Sequence, residues 1–331
     1  MGLSALVPWV HEPFQRALDA LAAERLAHAL LVCGPAHIGK QAFADALAKT
    51  MLCRARVDGQ ACGECRDCVL FAAGTHPDLK RIGLEENEKT KTMRKEIVIE
   101  QVRDLGAWFA LTPQRGGAQV ALIESAALMN ANASNALLKT LEEPMHNRYL
   151  LLLCESPMQL SATIRSRCQR IVLQPPSMQC GVDWLRARGH DAVLAESALS
   201  AARGHPGLAA HWIEQGLLAL RESVRSDLDA LAAGRARPLE IAIAWLADDQ
   251  AEQRLAFAAD LAVDRQAAAL GASNDVAPRS PPARLGKPGD SRKLSAWFDE
   301  ANRTRALLRT PIRSDLALAG LLRDWCNAVA A

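Results

Sequence analysis

Three groups of residues in this chain have the types and spacing to do chemistry. The first is Gly34-Pro35-Ala36-His37-Ile38-Gly39-Lys40-Gln41. Gly34, Gly39 and Lys40 stand where a G-x-x-x-x-G-K-[ST] loop needs them, with backbone N–H groups and an ammonium to meet a polyphosphate. Gln41 breaks the pattern, because a Ser or Thr hydroxyl at that position would ligate Mg²⁺. The second group is Cys53-x8-Cys62-x2-Cys65-x2-Cys68. Four thiolates so spaced can close around one tetrahedral Zn²⁺, and with no His or carboxylate beside them the ion would be structural. A reduced cysteine-rich loop, or a three-thiolate site with Cys53 left at a helix end, is the alternative. The third is Thr163-Ile164-Arg165-Ser166-Arg167-Cys168-Gln169-Arg170, in which arginine recurs three times. Such arginines can serve surface solubility or pair with carboxylates of the same domain. They can also offer a guanidinium to a nucleotide on a neighbouring subunit, where it stabilises charge on a transferring phosphoryl group.

These groups need elements to hold them. Phe14, Leu18, Leu21, Ala22 and Leu26 recur at helical spacing, which predicts an amphipathic helix over 12–28. The apolar run Ala29–Cys33 reads as a strand entering the glycine loop, and a helix follows to Met51 or Leu52. Gly59 and Gly63 supply turns among the cysteines, and His76 in Thr75-His76-Pro77-Asp78 reads as a turn or capping residue. Residues 85–95 are highly charged without periodicity and read as a solvated loop. Ile97 to Ile99 is a short strand or the lead into a helix from Glu100 that carries Val102, Leu105, Trp108 and Phe109 and stops before Pro113, Gly116 and Gly117.

Gln119–Glu124 has the look of a buried parallel strand ending in a carboxylate. In a P-loop ATPase such a strand ends in an Asp that holds Mg²⁺ and a Glu that activates water. Here Glu124 and Ser125 take those places, and a serine is no base at neutral pH. Leu137, Leu138 and Leu141 give a helix that Pro144 terminates. Tyr149–Cys154 is another buried strand; Cys154-Glu155 at its end would repel a phosphate where a polar sensor is expected. Val172-Leu173 reads as a last short strand.

Composition bounds the rest. The chain has 331 residues, enough for two or three domains, and half of them are hydrophobic. A net charge of +2 with both signs interspersed requires neither nucleic acid nor membrane as partner. No apolar run approaches ~18 residues, and Met1–Val10 lacks the pattern of an export signal, so a cytoplasmic protein is expected. The odd count of nine cysteines then favours metal or free thiols over disulfides.

The stretches Leu26–Leu31, the four cysteines, Thr75–Asp78, Asn135-Ala136-Leu137-Leu138-Lys139-Thr140-Leu141-Glu142-Glu143-Pro144 and Ser166-Arg167-Cys168 together resemble the bacterial DNA polymerase III clamp-loader family over about residues 6–175. The resemblance implies an α/β AAA+ P-loop module over 1–174, a parallel sheet with flanking helices that carries the four-cysteine zinc module at 53–68. It further implies a small helical lid domain over 175–213 and an all-α collar domain over 214–331. The motor subunits of that family, gamma and tau, keep the P-loop hydroxyl and an Asp-Glu pair. This chain keeps neither, so it looks like a non-motor subunit, and its zinc cysteines and Ser-Arg-Cys motif set it apart from delta. By the same resemblance Arg167 reaches the ATP of an adjacent motor subunit. Gly34, Gly39 and Lys40 are then a degenerate P-loop that is expected not to hold ATP. The implied partners are gamma/tau and delta in a hetero-pentamer, and through it the sliding clamp and primed DNA, with no membrane. Active members carry a lid arginine near Gly204-His205-Pro206-Gly207-Leu208, where this chain has Gly207, with Arg203 before the turn.

The lid region shows three helical patterns, Val182–Arg188, Ala192–Ala202 and Leu208–Gln215. Beyond them, Leu217, Leu220, Val224, Leu228 and Leu231 form one stripe. Ile241, Trp245 and Leu246 form another, and Leu318, Leu321, Leu322, Trp325 and Val329 close the chain. Residues 271–292 are rich in Pro, Gly and Ser and read as a mobile loop. Two other functions stay open on the residues alone. One is a weak ATPase that relies on Lys40 and Glu124. The other is a zinc-dependent nucleic-acid binder, which the lack of a basic tract around the cysteines disfavours.

Overall fold

The computed structural model describes residues 6–87, 91–269, 291–308 and 313–329. They divide into two compact units, Met1–Pro176 and Ser177–Ala331.

The first unit runs α1 (His11–Ala22), β1 (Ala29–Cys33), α2 (Lys40–Leu52), α3 (Arg66–Ala72), β2 (Leu79–Ile82), α4 (Ile99–Phe109), β3 (Gln119–Ile123), α5 (Ala131–Glu142), β4 (Arg148–Cys154), α6 (Ala162–Arg167) and β5 (Gln169–Val172). All strand pairs are parallel, in the order β2-β3-β4-β1-β5. Strands β1 and β3 are buried at every position, as a sheet covered on both faces requires. Alternate residues serve opposite faces. Leu30, Val32, Val120, Leu122, Leu151 and Leu153 pack with α1 and α2. On the other face Leu31, Cys33, Ala121, Ile123, Leu152 and Cys154 pack with α4 and α5. This is the parallel α/β sheet with flanking helices expected from the sequence.

The structure corrects several boundaries. The helix expected over 12–28 stops at Ala22. Glu24 adopts φ +54°, its N–H bonds to Leu21 O, and the Arg25 N–H reaches Ala20 O. This is a Schellman stop in which glutamate does what glycine usually does, so no punctuation marks it in the sequence. The last strand occupies Gln169–Val172 rather than Val172-Leu173, because Leu30 to Cys33 pair with those four residues. Strand β2 and helix α3 had no anticipated counterpart. Residues 88–90 of the charged loop lie outside the described residues.

The second unit is all-helical among its described residues: α7 (Met178–Ala187), α8 (Ala192–Ala201), α9 (Pro206–Glu214), α10 (Leu217–Ala232), α11 (Pro238–Trp245), α12 (Ala251–Ala269), α13 (Ser291–Leu307) and α14 (Ser314–Val329). One core runs through it from Val182 to Ala328. Three of its buried indoles find an acceptor: Trp245 Nε1 donates to Asp227 Oδ2, Trp297 Nε1 to Leu321 O and Trp325 Nε1 to Leu228 O. Of the loop expected at 271–292, residues 271–290 lie outside the described residues, whereas Ser291 and Arg292 begin α13. No described helix is long and apolar enough to cross a membrane.

Candidate functional site

Strand β1 delivers the chain into the glycine loop, and α2 leaves it with Gly39 as N-cap at φ +101°. A Cβ on Gly34 would lie 2.6 Å from the Leu173 carbonyl oxygen, so only glycine lets β1 turn here beside the chain that leaves β5. The loop has the backbone of a phosphate cradle, but its cation faces inward. Lys40 Nζ donates to Gly34 O at 2.6 Å and to Pro35 O at 2.7 Å. Burial pulls its pKa below the ordinary lysine value. Gln41, in the hydroxyl position, donates to Asp45 Oδ1 at 3.3 Å.

Glu124 at the end of β3 has a partner that the sequence reading missed. Arg81, on the edge strand β2, donates to Glu124 Oε1 at 3.2 Å and to Asp45 Oδ1 at 2.7 Å. Burial alone would lower the Arg81 pKa, but these two carboxylates raise it. A guanidinium therefore neutralises the carboxylate that a metal would use in an active P-loop enzyme. Ser125 leads into a short turn and places no carboxylate beside it.

Arg167 sits elsewhere, on the last turn of α6. Ser161 caps that short helix by accepting the Ile164 N–H, Ile164 is fully buried, and Cys168 packs on the sheet. Burial pushes the Cys168 thiol up to about 11. Ser166 Oγ donates to Thr163 O at 3.0 Å. The Ser-Arg-Cys motif thus has an inward anchor, a backbone tie and one outward arginine. Arg167 Nη2 lies 2.7 Å from Glu142 Oε1, Nη1 donates to Thr163 O at 3.1 Å, and the side chain is 35% exposed. Glu142 belongs to the Asn135–Pro144 stretch, so two motifs separated in sequence meet here. The same stretch meets a third, since His28 Nε2 donates to Leu141 O at 3.2 Å.

The four cysteines come together. Their Sγ atoms all lie within 4.8 Å of one another. Cys53 is 3.7 Å from Cys62 and 3.8 Å from Cys65, and Cys62 is 4.0 Å from Cys68. A tetrahedron with Zn–S bonds near 2.3 Å has edges of about 3.8 Å, so the set fits such an ion. The Cys65 N–H on Cys62 Sγ is the main reason that thiol falls to about 6, while burial raises Cys53 and takes Cys68 up to about 12. Buried thiols of the second kind ionise readily only beside a cation. Four close cysteines that could hold a metal ion are therefore a property of the fold.

The module is joined to the sheet by a network that spacing did not reveal. Asp67 on α3 is 3% exposed; it receives Arg115 Nε at 2.7 Å and faces His76 Nε2 at 3.5 Å. His76 Nδ1 accepts the Asp78 N–H, and the Asp78 carboxylate receives the Gln114 and Arg115 N–H groups at 2.8 Å each. His76 is thus a turn residue, as expected, and also a buried contact whose pKa burial lowers. In the second unit Gly207 lies near the start of α9, and Arg203 is bound to Asp264 and to Asp260 O.

Residues 11–177 match the protein family described as DNA polymerase III, delta subunit. A DNA polymerase III subunit delta-prime of Pseudomonas aeruginosa is 39% identical over 237 residues, covering 70% of this chain and 70% of that protein. The delta-prime subunit of Escherichia coli is 37% identical over 205 residues, covering 61% of this chain and 59% of that protein. The tau subunit of Escherichia coli is 34% identical over 156 residues, covering 47% of this chain and 23% of that protein. The chain belongs to the DNA polymerase III delta-subunit family, on its delta-prime side.

Proposed function

We propose that this chain is a non-hydrolysing subunit of a DNA polymerase III clamp loader, completing the ATP site of a neighbouring motor subunit with Arg167 and so helping to load the sliding clamp on primed DNA. The observation that carries the reading is a contrast between two cations. Lys40 is committed to the carbonyls of its own loop, whereas Arg167 is offered at the surface and held chiefly by one carboxylate. A guanidinium of the second kind can exchange Glu142 for a phosphate. Arg81 between Asp45 and Glu124 supports the same reading, since the chain's own metal-side carboxylate already has a cation.

The partners in this reading are gamma or tau and delta in a hetero-pentamer, with a helical lid over 175–213 and a collar over 214–331. The four cysteines hold one structural Zn²⁺ when loaded: the ion supplies a cross-link, while Asp67 and Arg115 orient the module on the sheet. Co-purification with motor subunits, followed by ATPase assay of the reconstituted complex with and without Arg167→Ala, tests the proposal. Normal assembly with sharply reduced turnover is expected; unchanged turnover removes the role given to Arg167. Micromolar, Mg-dependent ATP binding to the isolated chain would favour a weak ATPase instead.

A further inference from the structure

Two cysteines outside the metal cluster stand together at the root of the glycine loop. Cys33 ends β1 and Cys154 ends β4, and the two are register partners on adjacent parallel strands. They share one face of the sheet, since both belong to the core beneath α4 and α5. Their sulfurs are 3.4 Å apart. Neighbouring strands lie roughly 4.8 Å apart, inside the Cα separation of about 4.4–6.8 Å that a disulfide spans. The bond would draw the two β-carbons to within about 3.5–4.5 Å, by side-chain rotation and a small local approach of the strand ends.

We propose that Cys33 and Cys154 form a peroxide-oxidisable pair, a modification site in which Cys154 is the attacking thiol and Cys33 the resolving one. The assignment of roles follows from the surroundings. Either sulfur can donate to the other; with Cys33 as the donor, that hydrogen bond and the nearby Lys40 charge lower the Cys154 pKa, while the same bond and burial raise that of Cys33. Both cysteines are buried, Cys33 at 1% and Cys154 at 4% exposure, and half-buried Lys40 and exposed Glu155 are the charged groups nearest Cys154 on its loop side. In the first step the Cys154 thiolate attacks one peroxide oxygen. An S–O bond forms, the O–O bond breaks, and hydroxide leaves and takes up a proton. In the second, the Cys33 sulfur attacks the sulfenic sulfur of Cys154, losing its proton. The S–S bond forms and the S–O bond breaks to release water. Two thiols and one hydrogen peroxide give one disulfide and two waters, with two electrons passing from sulfur to the peroxide.

The bond would pin the loop at its first residue. The Gly34 N–H already donates to Cys154 O at 3.3 Å, and Gly34 O holds Lys40. In a reducing compartment such a link is transient, which suits a reversible change of loop stiffness. The inference is independent of the clamp-loader role.

The test uses the full chain. It is treated with hydrogen peroxide, free thiols are blocked with N-ethylmaleimide after denaturation, and the protein is digested without reduction and mapped by mass spectrometry. The expected result is a cross-linked peptide pair joining Cys33 to Cys154, two hydrogens lighter than its reduced parts and abolished by dithiothreitol. In Cys33→Ser the sulfenic acid on Cys154 persists and is captured by dimedone. The proposal is overturned if Cys33 and Cys154 are both recovered as maleimide adducts when surface thiols have oxidised. It is equally overturned if wild-type Cys154 goes on to sulfinic acid without linking. The wild-type map stands by itself should the serine variant misfold.

Discussion

Lys40 and Arg167 are both cations held by acceptors of their own chain, and the nature of those acceptors separates them. Lys40 is half-buried and bonded to two backbone carbonyls that no side-chain exchange can remove. Arg167 is about one-third exposed and bound to one backbone carbonyl and to a half-exposed carboxylate, the ion pair being worth roughly 0–1 kcal/mol in water. The first cation shapes a loop; the second can be recruited at little cost. A P-loop signature therefore reports local geometry, and whether its lysine is free for a phosphate depends on what the loop does with it.

The largest expected effect tests the outward cation. Arg167→Ala should lower ATP turnover of the reconstituted clamp loader by on the order of 10³–10⁵, with the isolated chain folding normally by circular dichroism. The cysteine module should behave as structure, like Lys40. Metal analysis of the wild type should give about one Zn per chain, and Cys62→Ser with Cys65→Ser should reduce that to none and lower the unfolding temperature. A metal-free wild type would end the zinc assignment. Glu142→Gln should raise turnover by up to about fivefold, the equivalent of removing a competing pair of at most ~1 kcal/mol; a large loss would instead make Glu142 a positioning residue for Arg167. The smallest effect should come from Lys40→Ala, with complex turnover within about twofold of wild type, because the contrast gives the lysine no phosphate to bind. A collapse of turnover in that variant, with assembly intact, would erase the distinction between the two cations.

The central elements were legible because buried parallel strands are continuous apolar runs. Ala29–Cys33, Gln119–Ile123 and Tyr149–Cys154 announce themselves, and the helices between them carry apolar stripes. The edge strands were not legible for the converse reason. Of Leu79–Ile82 only Ile82 is buried, and none of Gln169–Val172 is, so neither shows a period that would distinguish it from a loop. The stop of α1 at Ala22 was hidden because Glu24 occupies a conformation that usually advertises itself with glycine.

Spacing along the chain by itself determined which residues could do chemistry: the loop glycines with Lys40, four cysteines at metal distance in sequence, and an arginine between Ser166 and Cys168. It also marked the missing hydroxyl and base at Gln41 and Ser125, since those are local substitutions in local motifs. Only the tertiary structure decided the partners. Strand order β2-β3-β4-β1-β5 brings Arg81 beside Glu124 from an edge strand, and it sets Cys33 against Cys154 although 121 residues separate them. Packing of α5 beside α6 gives Arg167 to Glu142. These pairings depend on which elements are neighbours in space, and periodicity along the chain carries no record of that.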